Sequence, residues 1–508
     1  MTRAAHQEPD VVRLKRLGID TYQELVIFMA RSSPICRSEG WAAQTRVQVS
    51  CNGRSIVATL NVTTDGLLSP DEASLSEAAW ELLGAENGEL ARLSQSPPVE
   101  SLSFVRAKAY GEALSAPAIA TIVRDVVAGR YSDIDLAAFV TAFAGPRIDA
   151  GETTALTRAM IDTGERLYWG HSPIVDKHCV GGLPGNRTSM IVVPVVAACG
   201  LTMPKTSSRA ITSPAGTADA METIAPVDLE LDAMRRVVER EGACIVWGGR
   251  VRLAPADDVI ISVERPLDFD SPTQMVASIL SKKVAAGSTH VVIDIPIGPT
   301  AKVRSEAAAG RLEALFASVA NAIGVSLCAV RSDGLQPVGR GIGPALEARD
   351  VLAVLRRAPD APADLRQRSL TLAGKVLEIA GAAKPTCGVA LATRVLDDGT
   401  ALRKLEAICA AQGGMREPRA APLSHVVTAT RAGTIAGIDN RRLARLAKLA
   451  GAPRAATAGL ELHARLDATV QRGEPLITIH AETPGELDYA RAYLTANPQI
   501  IDLTAETT

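Results

Sequence analysis

The sequence predicts a multidomain α/β protein with a β-containing N-terminal domain, a helical domain, a central α/β domain and a C-terminal α+β domain. Three observations carry this expectation. Apolar residues alternate on both sides of Asn52-Gly53; apolar residues recur at helical spacing after Val99; short apolar runs then alternate with helical patterns. At 508 residues the chain has room for several domains of roughly 100–200 residues each.

The N-terminal domain is expected over residues 1–98. Arg46-Val47-Gln48-Val49 and Ile56-Val57-Ala58 flank Asn52-Gly53, the pattern of a β-hairpin. A Ser/Pro stretch at Ser94 to Pro98 reads as a linker. The helical domain covers 99–170, with about 257–286 joining it: Ile119-Ile122-Val123-Val126-Val127 and Leu136-Phe139-Val140-Phe143 each line one helix face, and Ser132 with Asp135 marks a helix start. The α/β domain covers 171–421, where Cys244 to Trp247 and Val291 to Ile295 are expected as buried strands and Leu231 to Glu241 as a helix. Beyond, at 422–508, strands at Val426 to Ala429 and Pro475 to His480 flank a helix at Asn440 to Leu449.

Aromatic residues are only 3% of the chain, so the cores must be built from Ala, Val, Leu and Ile. A net charge of -2 argues against a broad nucleic-acid or acidic-membrane surface. None of the eight cysteines forms a C-x-x-C pair, which favours reduced thiols over a metal site or a disulfide framework. Met1 to Asp10 is polar and carries no signal-peptide pattern, and no apolar run is long enough to span a bilayer. A cytoplasmic protein without a membrane or nucleic-acid partner is the expectation.

The most informative segment is Asp176-Lys177-His178-Cys179-Val180-Gly181-Gly182-Leu183-Pro184-Gly185-Asn186-Arg187-Thr188-Ser189, followed by the apolar helical run Met190 to Cys199. A glycine-rich loop feeding a helix N-terminus points backbone N–H groups at one spot, where the helix dipole favours an anion. Lys177 adds a charge; Thr188 and Ser189 add hydroxyls. The competing reading is a tight turn that binds nothing. The dipole contributes only about 0.3–1 kcal/mol near a surface, so a real anion site needs several further donors. A second segment supplies them: Lys205 to Thr217 holds six hydroxyls and two cations, and Gly216-Thr217 again precedes a helical pattern. The order of glycine loop, strand and hydroxyl loop suits two loops at the carboxyl edge of one sheet.

Lys177-His178 with Gly181-Gly182, the run Val196 to Gly200, Gly216-Thr217-Ala218-Asp219, Ala277 to Lys283 and Gln336-Pro337-Val338-Gly339 resemble the thymidine phosphorylase family. The resemblance runs from about Val99 to the end. The extra N-terminal domain, the Gly-Leu-Pro-Gly-Asn loop and Ser208 to Ser213 resemble the longer branch, which holds AMP phosphorylases and bacterial proteins described as thymidine phosphorylases. The resemblance implies a helical domain facing an α/β domain, a homodimer or larger assembly, and no cofactor, inorganic phosphate being a co-substrate. By position it places Lys177, Ser189, Ser207 and Thr217 on phosphate, with the Cys179 backbone where the pyrimidine enzymes have a serine. It places Ser278 and Lys282 toward the base. From the AMP branch it places Gly182, Ser208, Arg209, Ala210, Ile211, Thr212, Ser213, Thr217, Ser278 and Lys302 on nucleotide, and makes Asp270 the proton donor to the leaving base. Val263 and Ile260 stand where the pyrimidine enzymes have a base-gripping arginine and a tyrosine; Arg265 is out of register.

The expected reaction is phosphorolysis of an N-glycosidic bond, on a nucleoside or, alternatively, on a nucleoside 5′-monophosphate such as AMP. His178 could hydrogen-bond phosphate or base, or only prop the loop. Arg209 with Ser208, Thr212 and Ser213 is the expected grip on a 5′-phosphate. A phosphoribosyltransferase would need acidic residues for Mg²⁺ near the loop; Asp257-Asp258 is the tempting pair, and it fits a helix start equally well. A noncatalytic nucleotide-binding protein is the remaining alternative.

Overall fold

The computed structural model describes residues 10–504 apart from 22–23, 65, 145–148, 184, 211–212, 250, 252 and 268–270. It divides into two compact units, Met1–Leu114 with Thr121–Ala142, and Ser115–Ala120 with Phe143–Thr508.

The first unit is built on a closed six-stranded barrel of β1 (Val11–Leu14), β2 (Val26–Ala30), β3 (Arg46–Cys51), β4 (Arg54–Thr63), β5 (Glu72–Leu75) and β6 (Leu90–Gln95), in the order β1-β5-β2-β4-β3-β6. The expected hairpin is β3–β4. It turns on Asn52 and Gly53 at φ 50° and 77°, and Cys51 pairs with Arg54. Positive φ at both turn residues gives the backbone twist that a two-residue hairpin requires. Val47, Val49 and Cys51 point inward with Ile56, Ala58 and Leu60, so period-two patterning fills the barrel. Short helices α1 (Pro34–Ser38) and α2 (Glu77–Leu83) complete the barrel region, followed by α3 (Leu102–Ala109); α4 (Ala116–Val127) crosses the division between units, and α5 (Asp133–Ala142) follows. Ser132 and Asp135 cap α5 reciprocally, as their spacing predicts.

The second unit opens with α6 (Ala150–Asp162) and continues through alternating strands and helices: β7 (Val175–Cys179), α7 (Ser189–Ala198), β8 (Met203–Ser207), α8 (Thr217–Glu222), α9 (Leu231–Glu241), β9 (Ala243–Trp247), α10 (Pro255–Leu267), α11 (Pro272–Ala285), β10 (His290–Ile297), α12 (Glu306–Ala322) and β11 (Ser326–Asp333). Parallel pairing gives two adjoining sheets, β11-β10-β7 and β8-β9, joined by a single bridge between Ile174 and Thr202. The two polar loops therefore leave two sheets, not one as the sequence suggested. Helix α7 is apolar on every side and buried from Ser189 to Ala197, the signature of a core helix. Its cover includes α13 (Pro344–Leu355), α14 (Ala363–Ile379), α15 (Gly388–Asp397) and α16 (Thr400–Gln412).

The C-terminal α+β part contains β12 (Gly341–Ile342), β13 (Leu423–Thr428), β14 (Gly433–Ile438), α17 (Asn440–Leu449), β15 (Gly459–Leu462), β16 (Thr469–Val470), β17 (Pro475–Ala481), α18 (Pro484–Ala496) and β18 (Ile501–Thr504). Its sheets run β12-β15-β17-β13 and β16-β14-β18. The β12–β15 pairing ties this part to the segment that precedes α13. The four-part fold class expected from the sequence is thus present. Among the described residues no helix is long and apolar enough to cross a membrane.

Candidate active site

Strand β7 carries charge on both faces. Period-two alternation turns Lys177 and Cys179 to one side and Asp176 and His178 to the other. Lys177 is fully buried, and its Nζ donates to Thr188 Oγ1 at 2.5 Å; Thr188 Oγ1 in turn donates to the Gly185 carbonyl at 2.7 Å. The lysine at the strand end thus bonds directly to the last turn of the glycine loop. Burial pushes the Lys177 ammonium below its ordinary value, while Cys179, Asp294 and Asp176 favour its charge. Beside it, burial and the Asp294 carboxylate push the Cys179 thiol far above its ordinary value, which leaves it an inert thiol. Asp294 is itself buried. Its Oδ1 accepts from Ser332 Oγ at 2.5 Å, and its Oδ2 has no hydrogen-bond partner among the described residues.

On the opposite face Asp176 is buried between two lysines, with Lys283 Nζ at 2.8 Å and Lys205 Nζ at 3.4 Å. His178 lies two residues along the same face. Burial, and then the charges of Lys283, Lys205, Lys282 and Lys177, hold its imidazole well below the usual histidine range. His178 is therefore neutral at neutral pH, able to accept a hydrogen bond on one nitrogen and donate from the other.

The two loops meet. Gly182 (φ 88°) and Leu183 (φ 71°) turn the chain in the left-handed region, and Leu183 N donates to Ser213 Oγ at 3.1 Å. A Cβ at Gly182 would lie 3.3 Å from the Lys302 backbone nitrogen, so the glycine lets that segment approach. Ser189 opens α7, Ser207 closes β8 and Thr217 opens α8. Gly216 has no room for a side chain: a Cβ would sit 2.5 Å from the Ser208 carbonyl oxygen. Asp219 Oδ2 locks this turn by accepting from Ala210 N at 2.7 Å and Gly216 N at 2.8 Å.

Arg209 departs from expectation. Its guanidinium is held by Glu222 at 2.5 Å and Asp219 at 3.3 Å, and lies over the Trp247 ring at 5.0 Å. Its charge is shared with two carboxylates, which weakens its pull on a 5′-phosphate. Ser278 and Lys282, four residues apart, share one face of α11, and Lys282 Nζ bonds Asp257 Oδ2 at 2.6 Å. Asp257 and Asp258 lie in the first turn of α10, the helix-start reading of that pair. Ile260 and Val263 are buried apolar residues of the same helix. Ile211, Thr212 and Asp270 lie outside the described residues.

Sequence reading missed the buried charges that hold these loops. Lys283 and Asp294 sit in runs read as helix and strand, and Lys205, read as a cation of the hydroxyl loop, lies on β8. Arg187, inside the glycine loop, is completely buried; it bonds Asp350 Oδ2 at 3.1 Å and the Gly341 carbonyl, with Glu347 Oε1 at 3.4 Å. For Asp294 the usable signal was an ionisable residue within an apolar stretch, Val291 to Ile295. Burial raises the Glu347 carboxyl from its ordinary 4.5 to about 7, against the opposing pull of Arg187. A raised carboxyl contributes stability that is fully present below the unfolded value and is lost as pH rises through about 7. Glu347→Gln lacks this dependence. Urea titrations should show wild-type stability falling relative to the variant from pH 4.5 to 7, by on the order of 3 kcal/mol at about 1.4 kcal/mol per unit. Parallel pH curves would disprove the assignment.

Comparison with known proteins agrees with this architecture. A family model described as "Glycosyl transferase family, a/b domain" matches residues 171–402, one for the helical bundle domain of the same family matches 102–164, and "Pyrimidine nucleoside phosphorylase C-terminal domain" matches 434–500. The chain is 62% identical over 493 residues to a Polaromonas protein named "Putative thymidine phosphorylase", covering 97% of this chain and 96% of that one. A Legionella pneumophila (strain Paris) protein of the same name is 55% identical, covering 97% of this chain and 95% of that one. Anthranilate phosphoribosyltransferase from Thermus thermophilus is similar in fold, with TM-score 0.52 and 22% identity over 61% of this chain and 98% of that one. With full-length identity at this level and three domain models in chain order, the chain belongs to the thymidine phosphorylase family and is a glycosyl-transferring enzyme of it.

Proposed function

We propose that the protein phosphorolyses the N-glycosidic bond of a nucleoside, giving free base and (deoxy)ribose 1-phosphate. One observation carries this reading: the Leu183–Ser213 hydrogen bond joins the glycine loop to the hydroxyl loop, so that a single oxyanion can meet donors from both. In this reading Lys177, Ser189, Ser207 and Thr217 surround inorganic phosphate together with the Cys179 backbone. Lys177 offers an ammonium whose desolvation strengthens each bond it makes to an anion. The cradle fixes phosphate below C1′, which removes much of the entropic cost of a reaction between two molecules. As the glycosidic bond breaks, positive charge grows on the sugar and the bound phosphate stabilises it.

Ser278 and Lys282 orient the base from α11. Neutral His178 serves phosphate or base as a hydrogen-bond partner. Asp270 delivers the proton to the departing base. Asp270→Asn should lower kcat by about 10²–10⁴-fold, the usual contribution of a general acid, while phosphate affinity stays unchanged; an unaltered rate would take Asp270 out of the reaction. A dimer or larger assembly is part of the same proposal.

A nucleotide substrate is the second reading, favoured by the hydroxyls of Ser208 and Ser213 and by the Ser208 to Ala210 backbone that lies against Gly216. It is weakened by the carboxylates on Arg209. Incubation of the purified protein with phosphate and a panel of nucleosides and nucleoside monophosphates, with products identified by mass, decides between them. Base and pentose 1-phosphate from a nucleoside support the first reading. Pentose 1,5-bisphosphate from a monophosphate alone supports the second. Release of no base from any substrate overturns both.

A further inference from the structure

Among the described residues, Arg187 has the bulkiest side chain fully withdrawn from solvent. It lies in the glycine loop, between the turn at Gly185 and the start of α7 at Ser189. Burying a guanidinium is costly unless its charge and donors are met. Here the charge is met by Asp350 at 3.1 Å and Glu347 at 3.4 Å, both on α13, and one donor by the Gly341 carbonyl of β12. The same Asp350 Oδ2 accepts from Arg340 N at 2.7 Å and Gly341 N at 2.8 Å. The carboxylate is thus fixed by backbone before the arginine reaches it. Gly339 (φ 84°) makes the approach possible, because a Cβ there would lie 2.6 Å from Asp350 Oδ2 and 3.0 Å from Arg187 NH1. Adjacent in sequence, Thr188 holds Lys177 Nζ. One residue of the loop is therefore anchored to α13 and the next holds the buried lysine.

We propose that Arg187 is the positioning residue of the phosphate cradle: its guanidinium, fixed to Asp350, Glu347 and the Gly341 carbonyl, sets where Thr188, Ser189 and Lys177 stand relative to a bound oxyanion. In this reading Arg187 pairs with α13 and not with phosphate, although its Nε and Nη2 have no hydrogen-bond partner among the described residues. The proposal rests on the phosphorolytic reading of the site. A cavity lined by Arg340, Arg349, Asp360 and Glu461, among others, borders the same Asp350.

The test is calorimetric titration of inorganic phosphate into the full-length protein and into Arg187→Ala, followed by steady-state kinetics in both substrates. The variant should raise Kd and KM for phosphate ~100-fold, the loss expected of an ångström-scale misplacement of cradle groups, with KM for the nucleoside little changed. Millimolar guanidinium should restore phosphate affinity in Arg187→Ala and leave the unaltered protein unaffected. Arg187→Lys keeps the charge, loses the fork and guards against a misfolded alanine variant; it should reproduce the phosphate defect without rescue. Unchanged phosphate affinity in a folded variant would overturn the inference, as would equal losses for phosphate and nucleoside without guanidinium rescue. Failure of the unaltered protein to bind phosphate would instead remove the phosphorolytic reading, and this inference with it.

Discussion

Lys177→Met should lower kcat/KM for phosphate by about 10²–10³-fold, the cost of removing one preorganised donor from a desolvated site, while leaving the fold as stable as before or more so. Both halves follow from the same geometry. Lys177 is wholly buried, and its Nζ donates to the Thr188 hydroxyl at 2.5 Å. Burial lowers its hold on the proton, so in the resting protein the ammonium is a charge kept at a desolvation cost. Methionine matches its length and removes the desolvation cost, and such replacements are often neutral or stabilising. Steady-state kinetics with varied phosphate and a thermal melt answer the question together. A large fall in melting temperature with phosphate KM unmoved would make Lys177 a structural residue.

Asp176→Asn should destabilise the second unit by about 3–5 kcal/mol, the range for removing one partner of a buried ion pair. Asp176 is the shared counter-ion of Lys205 and Lys283, both nearly inaccessible to solvent. Asparagine leaves two buried cations facing each other. Burial already holds the Lys283 ammonium below its ordinary value while Asp176 supports it, and the variant loses that support. Where a lysine is depressed in the folded state, the unfolded chain binds more protons and stability rises with pH. The wild-type fold keeps that proton up to about pH 7, so the defect should shrink as pH rises toward 7 and stay level above it, measured by urea denaturation. Combining Asp176→Asn with Lys283→Met should recover part of the loss, since the two residues are in contact and their effects do not add. A pH-independent defect, or strict additivity, would show that Asp176 acts through packing alone.

Much of the fold was legible because its signals are local. Asn52-Gly53 fixed a hairpin by turn geometry; Ser132 with Asp135 started α5; Leu231 to Glu241 and Asn440 to Leu449 are helices at the residues their periodicity predicts. The glycine loop was legible for the same reason, since glycine, lysine and hydroxyls crowd one short segment. The partition of β7 and β8 into two sheets was not, because strand partners are chosen across the whole chain. The ionic frame of the site was hidden likewise. Asp176 meets Lys205 and Lys283 from three separate elements, and Arg187 meets Glu347 and Asp350 only through the tertiary fold. Arg209 shows the converse: a cation conspicuous in a polar segment is already matched by Glu222 one helix away. Local pattern locates the loops; distant countercharges decide which of their cations are free to act.

The seam between the two parallel sheets has an evolutionary consequence. Strand register is set by hydrogen-bonded neighbours, and β7 pairs with β10 while β8 pairs with β9. The segment after β8 can therefore lengthen, shorten or exchange side chains without shifting the register that carries Lys177 and His178. A lineage can retune what it accepts on the hydroxyl-loop side while inheriting the lysine side unchanged. What such a lineage must keep are the ties across the seam: the Ile174–Thr202 bridge, the Asp176–Lys205 pair and the Leu183–Ser213 hydrogen bond.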